Sequence, residues 1–387
     1  MKINKIKTVF WLVVFLILGI PLFMFLTWYF LPFKHLEILI IDKTVNNEKR
    51  EEHSALNWIL NYEKYAKENN RLYDKNTDYY GFFPKKNEKY KINDFENFSE
   101  KSINSIVAKN DVFFYSDAYG VYTDEWKKHK FRNERSAKIY GGATLKEVML
   151  LKKAKKSNKL IISEYNLLAS PTSKKVRTAI ENEFGFKWSG WVGRYYDVLD
   201  TLKNNELPNW LKKNYLKEHP KWPFKDAGII FVREDGHIEI LEYKTHLTNE
   251  NPMIYTSEKY QKEYNLPSEI KFNFWFDIIK TSRSNHVISN MVISTNKAGD
   301  SILSHYKIPN KFPSIIANNN NTFYYFAGDF SDNNVSENIN YFKGISFFKD
   351  LYVDYKDKTD REYFFWDFYK PLLTTIFDKE YTKTINK

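Results

Sequence analysis

The run DVFFYSDA at residues 111–118 sets four consecutive apolar or aromatic side chains between two aspartates. A stretch this short and continuous predicts a strand buried on both faces, the kind found in parallel sheets covered by helices. Two similar runs lie on either side of it, LEILIID at 36–42 and KLIISEY at 159–165. Helix-like segments separate them. EEHSALNWILNYEKYAKE (51–68) carries Leu56, Ile59 and Leu60 at helical spacing. Residues 144–158 open on Thr144 with Glu147 three later, a capping-box start, and SKKVRTAIENEFG (173–185) closes on Gly185. Strand, helix and strand in this order predict an α/β fold, a mostly parallel sheet with flanking helices and right-handed crossovers.

Beyond this core the pattern shifts. The polar, tyrosine-rich stretch 70–100 is expected to be loop with a short helix. AGIIFVREDGHIEILEY (227–243) is a hairpin with Asp235-Gly236 at its turn. NHVISNMVIST (285–295) and NTFYYFAGDF (321–330) are further strands. Residues 226–320 are expected to be an antiparallel, β-rich elaboration of one domain spanning 34–340, with the last strand returning to the main sheet. An aromatic helical tail follows at 341–387. Its segment DREYFFWDFYKPLLTTIFD (360–378) suits either the domain core or a bilayer surface.

Residues 8–33, TVFWLVVFLILGIPLFMFLTWYFLPF, contain no charge. As a helix they span roughly 39 Å at 1.5 Å per residue, more than the ~30 Å hydrocarbon core of a bilayer. Trp28 and Tyr29 stand near one end, where amphipathic rings prefer the interface. The exit TWYFLPFKH lacks the small residues of a cleavage site, so a retained signal anchor is expected rather than a removed signal peptide. Lys2, Lys5 and Lys7 precede the segment, which favours an inside N-terminus and an extracytoplasmic domain on a single-pass cell-membrane anchor.

Composition narrows the classes further. The chain has no cysteine, which removes disulfides, thiolate metal sites and cysteine nucleophiles and fits a bacterial cell-envelope protein. The net charge of +11 is spread without a run of five basic residues, and no nucleic-acid motif is present, so nucleic acid is not an expected partner. No Gly-rich phosphate loop or HxxxH spacing occurs, so neither a cofactor nor a metal is expected.

Three places resemble the class I glutamine amidotransferase-like fold, in its non-amidotransferase relatives that include membrane-associated transport or gliding proteins and trehalose-utilisation-like proteins. They are LEILIID, GGATLKEVMLLKKAKKSNKLIISEYN (141–166) and PSIIANNNNTFYYFAGDFSDN (313–333). The resemblance implies a flavodoxin/amidotransferase-like sheet over about residues 36–335. Amidotransferases of this fold use a Cys at a strand-to-helix elbow. This chain has none and no G-x-S-x-G replacement, so a catalytically empty or repurposed version is implied.

In open α/β sheets, ligands gather outside the carboxyl ends of the strands. That rule selects Asp42, then Asp117 with Tyr119, then Glu164 with Asn166, and His53 at the start of the next helix. Asp117, Glu164 and His53 are the candidates for acid-base chemistry. The competing reading is that these carboxylates cap helices or bind loop amides. WSGWVGRYYD (188–197) gathers Trp188, Trp191, Arg194 and Tyr195 around two glycines, a surface suited to a sugar, or a buried loop. Three functions follow as expectations. The first is a non-catalytic envelope component binding a glycan or protein. The second is a surface carbohydrate hydrolase working through Asp117 and Glu164, and the third a subunit of an export or motility machine.

Overall fold

The computed structural model describes residues 2–127, 136–204, 206–333, 335, 337–357 and 361–386, and the backbone alone of 2–6 and 337. The short apolar runs become the middle of a ten-stranded sheet. Five of its strands are parallel: β1 (Ile38–Asp42), β2 (Tyr80–Lys85), β3 (Val112–Asp117), β4 (Leu160–Ser163) and β5 (Phe323–Phe326). Their spatial order is β2-β1-β3-β4-β5. The chain therefore leaves β1 in one direction and later returns to its other side, and the carboxyl ends of β1 and β3 flank the point of reversal.

The expectation of a mostly parallel sheet is corrected in its extent. Lys89–Asn93 pairs antiparallel with β2 at one edge, and Lys311–Asn318 pairs antiparallel with β5 on the other side. Asn285–Val292, Met253–Thr256 and Glu269–Lys271 continue that antiparallel wing. A second, four-stranded antiparallel sheet joins Ile238–Glu242, Gly228–Arg233, Phe186–Tyr196 and Trp275–Thr281. The segment 226–320 thus feeds both sheets. Two strand-like runs of the sequence, 285–295 and 321–330, both end in the large one.

Side-chain alternation gives the parallel strands two buried faces. Ile38, Ile40, Phe114, Ile162, Tyr324 and Phe326 join one core cluster. Leu39, Ile41, Phe113, Tyr115, Ile161, Phe323 and Tyr325 join the other. Helices Leu145–Lys156 and Lys174–Phe184 cover the second face with Val148, Leu151 and Ile180. The capping box at Thr144 and Glu147 is formed, and Gly185 closes Lys174–Phe184 in the left-handed conformation.

The first face is closed by helix Glu51–Tyr62 and by the C-terminal tail. From Glu362 to Ile385 the tail is one helix with a π turn at Phe365–Tyr369. Pro371 stands two residues past the end of that turn, where the widened backbone absorbs its missing N–H. Phe364, Phe365, Phe368, Tyr369, Leu372 and Leu373 are fully buried, and the rings of Phe365 and Trp366 meet Trp58 edge-on at 5.2 and 5.1 Å. Of the two places open to this tail, it occupies the domain core; residue 360, where its quoted segment starts, lies outside the described residues.

Residues Lys7–Phe30 form a helix long and apolar enough to cross a membrane. Its last turns dock on the domain. The Trp28 indole donates to the Asn61 carbonyl at 3.0 Å, and Lys64 Nζ donates to the carbonyls of Tyr29 and Leu31. Those two carbonyls are orphan acceptors at a helix C-terminus, so the lysine acts as a cap.

Candidate functional site

A cavity of about 550 Å³ opens at the carboxyl edge of the parallel strands. Thr44 and Asp117 reach it from β1 and β3, Tyr165 and Asn166 from the end of β4, and Asp329 and Asp332 from beyond β5. The second sheet forms the opposing wall, with Trp188, Val192, Arg194, Val232 and Trp275. Three tryptophans (Trp188, Trp210, Trp275) and three tyrosines (Tyr119, Tyr122, Tyr165) line the space with these charged groups.

Strand alternation sorts the distinctive 188–197 stretch. Phe186–Tyr196 is a strand, not a loop, and its register shifts between Trp188 and Val192, at a bulge where Gly190 takes φ +91°. After the bulge Val192 and Arg194 share the cavity face with Trp188. Trp191 and Tyr195 project to the opposite face, where Trp191 meets His237 and Tyr306 and the Tyr195 hydroxyl donates to Glu250 at 2.6 Å. The expected group of four is therefore corrected to Trp188 and Arg194. Arg194 pairs with Glu206 at 3.0 Å and stacks 4.7 Å from the Tyr196 ring. Arg177 lies over Trp188 at 4.9 Å and is held in a two-pronged contact with Glu234.

The strand-end carboxylates also divide. Asp117 lines the cavity and accepts a hydrogen bond from the Tyr119 amide at 2.6 Å. Burial holds its carboxyl well above the usual range against that amide, with Asp329 and Asp42 adding repulsion. Glu164 does not reach the cavity. Its oxygens accept from the Tyr369 hydroxyl and the Ser331 amide, both at 2.9 Å, and the side chain is 1% exposed. The expected acid-base pair of Asp117 and Glu164 is therefore not assembled; Glu164 ties the C-terminal helix to the loop after β5. Asp42 and His53 are likewise enclosed. His53 Nδ1 lies 2.5 Å from Asp42 Oδ2, and the Thr44 amide donates to the other Asp42 oxygen. His53 Nε2 faces the Lys75 carbonyl at 2.9 Å, which can only accept, so the Nδ1 contact needs a proton of its own. This dyad braces the loop after β1 from behind. Tyr119 and Asn166 stand in the cavity wall as expected.

What the sequence did not single out is the neighbour of His53. Helix geometry turns adjacent residues about 100° apart, so His53 enters the core while Glu52 faces the cavity. Carboxylate oxygens of Glu52, Asp329 and Asp332 lie within 4.8 Å of one another, close enough to hold a single cation. Arg361 from the tail contacts Asp332 and stands 3.8 Å from Asp329. One guanidinium among three carboxylates leaves them short of positive charge. Burial, then Asp332 and Asp329, raises Glu52 well above its ordinary value. Burial and Asp332 push Asp329 up to about 7, with Arg361 opposing. Burial and mutual repulsion therefore favour the proton-bearing forms of Glu52 and Asp329.

These shifts give a pH signature. Burial also carries Glu164 to about 8 and Asp277 to about 7. Unfolded carboxyls release their protons near pH 4–4.5. Between there and about pH 7–8 the folded state holds more protons than the unfolded one, so stability falls as pH rises through that window. The thermal midpoint of the full chain in detergent is expected to drop from pH 5 to pH 8, and Glu164→Gln to flatten the drop. A midpoint that climbs over this range would contradict the assignment.

No protein-family model matches the chain, and the curated proteins contain no match either. Among solved structures, a ThuA-like protein from Bacteroides uniformis aligns over 88% of this chain and 89% of its own, at 9% identity and a TM-score of 0.37.

Proposed function

We propose that this chain is a membrane-tethered binding protein of the bacterial envelope whose extracytoplasmic cavity takes a glycan. The observation that carries the reading is the lining itself: three tryptophans and three tyrosines interleaved with Asp117, Asn166 and Arg194 at the sheet's carboxyl edge. Aromatic planes cover the apolar faces of sugar rings, while carboxylates, an amide and a guanidinium satisfy hydroxyls. The apolar helix Lys7–Phe30 supports the tether and a single crossing. The strand order supports treating the domain as a repurposed relative of the amidotransferase-like group, without its nucleophile.

A hydrolase is the second reading. Glu52, Asp117 and Asp329 favour it, since they share one cavity and a carboxyl raised by burial can serve as the general acid beside a second, ionised carboxylate. One experiment addresses both. Full-length protein in detergent is applied to an array of bacterial envelope glycans. Trp275→Ala and Arg194→Ala are each expected to weaken binding at least tenfold, about 1.4 kcal/mol, with Trp191→Ala unchanged as the opposite-face control. Shortening of the bound glycan selects the hydrolase. Absence of binding across the array, or equal loss in Trp191→Ala, ends the glycan reading.

A further inference from the structure

Soluble surfaces carry isolated apolar residues without consequence, but contiguous exposed patches mark contact with something. Outside the N-terminal helix, thirteen large hydrophobic side chains are exposed among the described residues, and six of them fall within residues 341–355. They are Tyr341, Phe347, Phe348, Leu351, Tyr352 and Tyr355, with Phe347 88% and Leu351 83% exposed. The backbone here is a 3-10 helix, Ile345–Leu351, introduced by Gly344 in the left-handed conformation.

The position of this segment identifies what covers it. The Lys343 amide donates to the Met24 carbonyl at 3.2 Å. Phe342 packs against Phe25 at 6.3 Å, and Tyr341 meets Trp28 edge-on at 4.9 Å. Met24 lies six residues before Phe30, so these contacts sit within ~9 Å of the helix's outer end. A helix of 24 residues measures ~36 Å against a ~30 Å hydrocarbon core, which for a centred helix puts Trp28 at the lipid–water boundary and Met24 ~6 Å beneath it. Tyrosine and tryptophan concentrate at that depth in membrane proteins, and phenylalanine and leucine beside them reach the acyl chains. On the inner side the segment is fastened to the domain, with Gly344 donating to the Tyr62 hydroxyl and Lys343 pairing with Glu63 at 2.7 Å.

We infer that residues 341–355 form a second membrane contact, a wedge lying in the outer lipid interface beside the anchor helix with Phe347 and Leu351 inserted. The inference rests on the membrane-tethered reading, and its occupant is lipid rather than a protein partner. The absence of cysteine allows a direct test, because any single introduced thiol can be labelled alone. Full-length Phe347→Cys, Leu351→Cys, Leu18→Cys and Leu202→Cys are labelled with an environment-sensitive fluorophore and reconstituted into phosphatidylcholine vesicles. Leu202 is 90% exposed in the globular part and serves as the aqueous reference. Labels at 347 and 351 are expected to shift to the blue and to be quenched by spin-labelled lipid, as at 18, while 202 stays accessible to iodide. If 347 and 351 behave like 202 while 18 is quenched, the wedge is wrong and the tether stands. If 18 also escapes lipid quenching, the tether itself fails. Protection from both quenchers at 347 would mean a protein contact there and would equally overturn the wedge.

Discussion

Glu147→Ala is expected to cost about 3–5 kcal/mol of stability, the usual consequence of leaving a buried charge without its partner. Glu147 Oε1 lies 2.7 Å from Lys43 Nζ, and both side chains are almost wholly enclosed, at 2% and 1% exposure. The same carboxylate accepts from the Tyr115 hydroxyl and the Thr144 amide, closing the capping box of Leu145–Lys156. Lys43 is otherwise held by the Gly142 carbonyl at 2.8 Å. Alanine would strand the ammonium and unbind two donors together. Thr144→Ala should cost only about 1 kcal/mol, since it removes the cap and leaves the ion pair. Lys43→Met combined with Glu147→Leu should recover most of the loss, because two apolar side chains replace a pair that must be desolvated. Urea unfolding of the full chain in detergent measures all three. A double variant no better than Glu147→Ala would show that the cap and the tyrosine contact carry the stability.

The larger expected effect lies in the tail. Ending the chain at residue 360 should abolish cooperative folding, although only the last 27 of 387 residues are removed. Phe364, Phe365, Phe368, Leu372, Leu373 and Phe377 fill one face of the main sheet, and each is fully buried. Their loss would open that face to water and free the Glu164 carboxyl from Tyr369. Phe368→Ala alone is expected to cost about 3–5 kcal/mol through lost burial and the cavity it leaves. Its ring packs 5.1 Å from Phe364 and 5.8 Å from Phe330. A truncated chain that still unfolds in one sharp transition at the same urea concentration would show the tail to be an accessory.

Legibility in the sequence followed interaction range. The buried strands β1, β3 and β4 could be read because a run of apolar residues is a local pattern, and so could the Thr144 cap and the Gly185 stop. The carboxyl-edge rule then located the cavity, and Asp117, Tyr119, Asn166, Trp188 and Arg194 line it. The hairpin at 227–243 was equally local and formed, but which sheet each antiparallel strand joins was hidden, because a strand's partner is decided by turns and contacts far along the chain. That Phe186–Tyr196 is a strand could not be read, because its two glycines have different causes. Gly190 serves the bulge, whereas a Cβ on Gly193 would come 2.3 Å from the Phe276 ring. Glu52, Asp329, Asp332 and Arg361 come from three separated regions, so no spacing rule joins them. Glu164 and Asp42 followed the edge rule in sequence position, yet their oxygens are spent on Tyr369, Ser331, His53 and Thr44.

Helix Glu51–Tyr62 has Glu52 in the cavity wall and Asn61 under the Trp28 indole. Nine residues of helix make that spacing ~14 Å, with no flexible hinge between the two ends. In a tethered molecule this strut couples the cavity wall to the outer end of the anchor, so any tilt of the anchor would swing the mouth with it as the long arm of a lever.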